Sequence, residues 1–219
     1  MTLKKEQLKS ELFHLLAYYS KYYFGQFTEC ESLYNQEKGH ISLFYLLALL
    51  ENIIKSSLND FESTFFNLIK KLKIENLINE TEQNFLNDSE LGVRKIRNIL
   101  AHANLSKYDL KLENELKTYP FTENETCLII YERLSDIISG IIIKVIKPHL
   151  NVELEIELDG FIEKLDYTFI TRTPEELMAF KAIPTSPIWD ELDESTKYRL
   201  VEDSPDVNIL TELFRNLKQ

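Results

Sequence analysis

Glycine and proline are scarce, five and six in 219 residues, which excludes a collagen-like, linker-rich or disordered chain. Cysteine is scarcer still. Cys30 and Cys127 lie far apart and outside any CxxC arrangement, so neither a zinc site nor a disulfide scaffold is expected, and two reduced, buried thiols suit the cytoplasm. Apolar runs free of charge are missing: the greasiest window, "CLIIYERLSDIISGIIIKVI", carries Glu132, Arg133, Asp136 and Lys144, so no membrane span and no membrane partner is expected. The N-terminus, "MTLKKEQLKSELFHLL", is charged at every turn rather than basic and then apolar, the pattern of a chain without a signal peptide. There is no Gly-rich phosphate loop, no GxSxG and no Cys-His pair. His14, His40 and His149 have no second ligand at metal spacing, so neither a metal nor another cofactor is expected.

What remains is a chain that is 44% hydrophobic, long enough for one large domain or a domain with an appendage. Its net charge of −11 is unevenly placed. Residues 1–149 hold 18 Lys plus Arg against 20 Asp plus Glu, net −2, whereas residues 150–219 hold 7 against 16, net −9. The acidity is mostly C-terminal and counts little against a nucleic-acid partner for the first part.

Apolar residues recur at three- and four-residue steps through 3–24, 40–58, 60–78, 88–104 and 124–147, which predicts five helices. "NDSELGV" offers Asn87, Asp88 or Ser89 as an N-cap, and "TENET" opens the last helix in the same manner. After Pro148 the period changes. Val152, Leu154, Ile156 and Leu158 alternate with Glu153, Glu155 and Glu157 up to an Asp-Gly turn signal, the pattern of a β-hairpin. Thr173-Pro174-Glu175, Ser186-Pro187 and Ser204-Pro205-Asp206 each predict a short helix with proline at its first position. The expected fold is therefore mainly α: a helical bundle over 1–149 and an acidic α/β extension over 150–219, a hairpin plus short helices.

One helical stretch stands out, "RKIRNILAHANLSKY" at 94–108. With Arg97 set at 0° and roughly 100° per residue, Arg94 falls near 60°, Asn98 near 100° and His102 near 140°, while Val93, Ile96, Ile99, Leu100 and Ala103 fill the opposite face. Asn98 and His102 are an i, i+4 pair, so the amide could fix which imidazole nitrogen carries the proton. The set could converge on one small anion. On spacing alone the plainer reading is the wet side of an amphipathic helix, with His102 favoured near the C-terminal end of the helix dipole.

Arg97-Asn98-Ile99-Leu100-Ala101-His102 resembles the R-x4-H motif of the HEPN superfamily (higher eukaryotes and prokaryotes nucleotide-binding domain), polar residue after the arginine included. "FYLLALLENII", an earlier apolar helix bearing the lone acid Glu51, resembles the glutamate-bearing core helix of that family. The resemblance covers residues 1 to about 148 and implies a HEPN-like helical bundle. It further implies a metal-independent endoribonuclease whose site forms where two copies of the motif helix meet, hence a homodimer acting on intracellular RNA, as a toxin or antiviral defence component. On that reading His102 and Arg97 are catalytic with Asn98 in support. His102 serves as general acid or base, worth roughly 10²- to 10⁴-fold, and Arg97 stabilises phosphoryl charge. Glu51 could tether an arginine, and Arg94 adds a second guanidinium. An antitoxin or another regulatory protein is a conceivable partner. Where the family's minimal toxins carry a modified tyrosine two residues after the histidine, this chain has Asn104, and the nearest downstream tyrosine is Tyr108.

Lys70, Lys71 and Lys73, with Arg94 and Lys95, form a candidate phosphate-tracking patch for RNA, or an ordinary solvated lysine face. "AYYSKYYFGQF" offers rings that could stack bases, or pack a core or an interface. Glu153, Glu155 and Glu157 could mimic phosphate toward the basic face, or simply guard a strand edge. The alternative to an enzyme is a non-catalytic helical dimerisation or protein-binding module that uses the acidic C-terminal part.

Overall fold

The computed structural model describes residues 4–102, 105–184 and 187–204, with backbone only at 102, 202 and 203. Helix α1, Lys5–Tyr19, buries Leu8, Leu12, Leu15 and Leu16 at helical spacing. The single helix expected over 3–24 is in fact two. Ser20 turns extended, with φ −162° and ψ 119°, and its hydroxyl accepts the N–H of Tyr23 to start α2, Lys21–Asn35. A serine that can cap a new helix competes with continuation of the old one, which periodicity alone does not reveal.

Helices α3, Gly39–Leu58, and α7, Asn124–Leu150, are the two long core helices. Both end in a left-handed asparagine, Asn59 with φ 48° and Asn151 with φ 51°, a residue that tolerates this turn. By length and composition α3 could cross a bilayer, yet half of that apolar window is buried inside the protein. It packs along α7, which also carries α1, while α2 lies against α3 and α1.

The expected helix over 60–78 shortens to α4, Phe65–Ile74, because Thr64 caps it through the N–H of Asn67. A helix not anticipated follows, α5, Glu80–Asn87, opened by a capping box between Asn79 and Glu82. Glu82 is fully buried and pairs with Lys144, pinning α5 to α7. Then comes α6, Val93–His102, packed on α3 and α5.

The hairpin expected after residue 150 is not formed. Ile156 and Leu158 are buried and their glutamate neighbours exposed, so the alternation records burial, but among the described residues no strand is laddered along this segment, in which Glu155 alone forms a β-bridge. The Asp-Gly pair opens a one-turn helix instead, α8, Asp159–Ile162. The sheet is built from β1, Tyr108–Leu112, β2, Thr118–Pro120, and β3, Tyr167–Thr171, all antiparallel in the order β2-β1-β3. Leu110 faces Tyr119 on one side and Phe169 on the other. Ile156, Leu158 and Tyr167 belong to the main core.

Beyond the sheet, α9, Pro174–Phe180, starts as expected, with Thr173 as N-cap and Pro174 first. A 3₁₀ turn, Trp189–Glu191, and α10, Glu194–Asp203, follow. Leu177, Met178, Trp189, Tyr198 and Val201 make a small core of their own. The helix expected from Ser204-Pro205-Asp206, like Ser186, lies outside the described residues.

Candidate functional site around Arg97

Gly92 opens α6 because its Cα sits against Asp88, where a Cβ would come within 2.6 Å of the Asp88 nitrogen and 2.7 Å of its carbonyl oxygen. Asp88 is itself the corner: its Oδ1 accepts the N–H groups of Glu90 and Leu91, both at 2.7 Å. Val93, Ile96 and Ile99 then enter the core, which turns the expected polar face of α6 outward.

Arg97 points back at α3. Its Nη2 lies 2.8 Å from Oε2 of Glu51, whose other oxygen is 2.9 Å from Nζ of Lys55. Glu51 is only 8% exposed, so a nearly buried carboxylate is held between two cations, each satisfying one oxygen. The guanidinium also lies over the Phe65 ring, 5.8 Å from its centroid. Three elements thus fix one arginine: the acid of α3, the ring of α4 and the buried stripe of α6.

Beside it opens a groove of about 590 Å³ between α3 and α6, lined by Phe44, Ala48, Glu51, Asn52, Arg97, Leu100 and Ala101. Each wall mixes apolar and polar side chains, and the ion pair joins the two, Glu51 from α3 and Arg97 from α6. Asn98 is exposed on the next arc of α6. His102 is the last residue of α6, one turn beyond Asn98, and its side chain lies outside the described residues, as does Asn104.

The remaining cations separate. Arg94 is anchored on the end of α5, donating from Nε and Nη2 to the Asn87 carbonyl at 3.3 and 3.1 Å, and lies 5.5 Å from the Phe66 ring centroid. Lys70 covers the same ring at 4.1 Å. Lys71 is paired with Asp60, and that contact, with Ser63, holds the Asp60 carboxyl well below the usual carboxylate range. Lys73 faces a different groove, shared with Lys144, Lys147, Glu155 and Glu157. Lys95 lies over the Tyr108 ring on the opposite flank of α6. Each of the four lysines thus has its own surroundings.

Lys55 and Phe66 were absent from the sequence reading. Lys55 was findable, since it stands at i+4 from Glu51 on the same helix. Phe66 reads as one more apolar residue until the cations around it are placed. The rings that end α1 and open α2 serve mainly packing: Tyr19 and Tyr23 stack at 6.2 Å, though Tyr18 and Tyr22 are exposed. The thiols are free and buried, and burial pushes both up to about 12, so neither is a ready nucleophile. Among the described residues no group of three His, Cys, Asp or Glu side chains is placed to hold a metal ion.

Compared with protein-family models, with curated proteins and with solved structures, the chain matches none.

Proposed function

We propose that the protein is a metal-independent endoribonuclease of HEPN type. The observation that carries this reading is the Glu51–Arg97 pair at the edge of an open groove. An acid that anchors one side of a guanidinium presets its direction and lowers the entropy lost on meeting phosphate, while the remaining N–H donors stay available. Arg97 stabilises charge developing on the phosphoryl oxygens, where losing one such donor typically costs about 10²- to 10³-fold. His102 takes the proton of the ribose 2′-hydroxyl, whose oxygen attacks phosphorus, and the leaving 5′-oxygen acquires a proton, giving 2′,3′-cyclic phosphate and 5′-hydroxyl ends. Asn98 orients the imidazole.

A lone arginine on an exposed helix face is weak in water, and a second copy remedies that by enclosing the groove and doubling the cations. Ile41 and Phe44 support this, being 57% and 49% exposed on the α3 face that leads into the groove. The same two residues also favour the second reading, a helical binding module without catalysis. A role as toxin or defence component, with an intracellular RNA substrate and a regulatory protein partner, follows from the HEPN resemblance.

The test is labelled RNA with EDTA present, comparing wild type with His102→Ala, with cleavage ends resolved chemically and oligomeric state followed by sedimentation. Cyclic phosphate ends from a wild-type dimer support the enzyme. A dimer that binds a partner protein yet leaves every RNA intact supports the binding module.

A further inference from the structure

Helices α4 and α6 together carry Lys70, Lys71, Lys73, Arg94, Lys95 and Arg97 and not one acid, on a chain of net charge −11. Where the two helices touch, Phe66 stands 36% exposed between Lys70, 4.1 Å from its centroid, and Arg94, at 5.5 Å. Arg94 cannot drift, because two of its donors are committed to the Asn87 carbonyl. The neighbouring ring, Phe65, backs Arg97. Phe66 is thus a partly exposed aromatic framed by cations, one residue from the ring that backs Arg97.

We propose that Phe66 is a stacking subsite for an unpaired base adjacent to the scissile phosphate, with Arg94 and Lys70 holding the flanking phosphate. This rests on the ribonuclease reading and deepens it by naming a specificity-determining residue. The chemistry is complementary. Every base has a π-face, so stacking on a phenyl ring tolerates sequence but requires the base to be out of a duplex. Lys70 is exposed, and on arrival of a base its ammonium moves from the ring to the phosphate, exchanging a cation–π contact for an ion pair. Arg94 and Arg97 are three residues apart on one helix, about 5–6 Å between Cβ atoms, a spacing that lets each meet one of two successive phosphates. Phe66 then selects unpaired nucleotides next to the cleavage position, and Lys71, held by Asp60, contributes nothing to the subsite.

The test uses the full chain carrying His102→Ala, so that RNA stays intact, and reads fluorescence anisotropy of a labelled unstructured oligoribonucleotide and of a blunt RNA duplex. Phe66→Ala is expected to weaken single-strand binding on the order of ten-fold or more, with little change for the duplex. Phe66→Trp is expected to restore or tighten it. Lys70→Gln is expected to lower the slope of log affinity against log salt by about one. Each variant is first matched to its parent in helicity and thermal midpoint. Single-strand binding that is unchanged in Phe66→Ala, in a protein whose wild type still cleaves RNA, overturns the subsite and leaves the ribonuclease reading standing. A wild type that neither cleaves nor binds RNA overturns both.

Discussion

Glu51 is the residue whose replacement reports most directly on how Arg97 is held. Its side chain is 10% exposed, against 31% for Arg97 and 22% for Lys55. Breaking a fully buried pair costs roughly 3–5 kcal/mol and an exposed one about 0–1 kcal/mol. Partial exposure of both cations places Glu51→Gln between these limits, at about 1–3 kcal/mol. For a domain of roughly 150–250 residues, each kcal/mol moves the thermal midpoint by about 2–4 °C, so a fall of several degrees is expected. The informative form is a cycle of Glu51→Gln, Arg97→Met and the double variant, followed by urea unfolding. The shared ion pair is expected to make the double variant about 1 kcal/mol less destabilised than the sum of the singles. Lys55 remains on Glu51 in the Arg97→Met protein, so that single variant is expected to be the milder. Additivity within about 0.3 kcal/mol would refute the view that Glu51 fixes Arg97.

Three further outcomes are expected. Gly92→Ala forces a Cβ against the Asp88 backbone and is expected to cost about 1–3 kcal/mol and to speed amide exchange at the start of α6, whereas Gly25→Ala, with nothing within 4 Å, is expected to stabilise α2 by up to about 1 kcal/mol. Burial raises the Asp136 carboxyl above its ordinary value, with Lys9 and Lys5 opposing and Glu31 and Glu6 reinforcing. A carboxyl raised in the folded state costs stability at neutral pH, and that cost vanishes as pH falls through its folded value toward its unfolded one. Asp136→Asn is therefore expected to raise the thermal midpoint at pH 7 and to lose that advantage by about pH 3, as scanning calorimetry would show. Cys30 and Cys127 are expected to resist Ellman's reagent in the native protein and to react together on unfolding, because burial suppresses both thiolates.

Much of this molecule was legible where one physical signal dominates. Long apolar periodicity gave α3 and α7, and the wheel of α6 correctly separated Val93, Ile96 and Ile99 from Arg97 and Asn98. That Glu51 could tether an arginine came from the HEPN resemblance, and the arginine it holds is Arg97. The failures share a cause, local signals with non-local partners. Alternation over 152–158 states which side chains are buried, not whether another strand supplies hydrogen bonds, and β3 takes its partner from residues 108–112. Those strands are short, and two of the five residues of "YDLKL" are charged, so that strand did not declare itself. Ser20 could cap or continue, and only packing decided. The lysines of α4 are adjacent in sequence, which left a phosphate-tracking patch and a solvated face both open; Asp60, Phe66 and the groove beside α7 give them three different surroundings.

The central claim is that Arg97 stabilises a transition state formed by attack of a ribose 2′-hydroxyl. The measurement that meets it most directly is the initial rate at which wild type and Arg97→Ala, matched in helicity and thermal midpoint, cut one RNA in EDTA, beside the same strand carrying a 2′-deoxyribose at the cleavage position. The account expects wild-type cleavage that falls about 10²- to 10³-fold in Arg97→Ala and is lost at the deoxy position. Equal rates for the two proteins, or a deoxy strand cut as fast as the ribose strand, would contradict it.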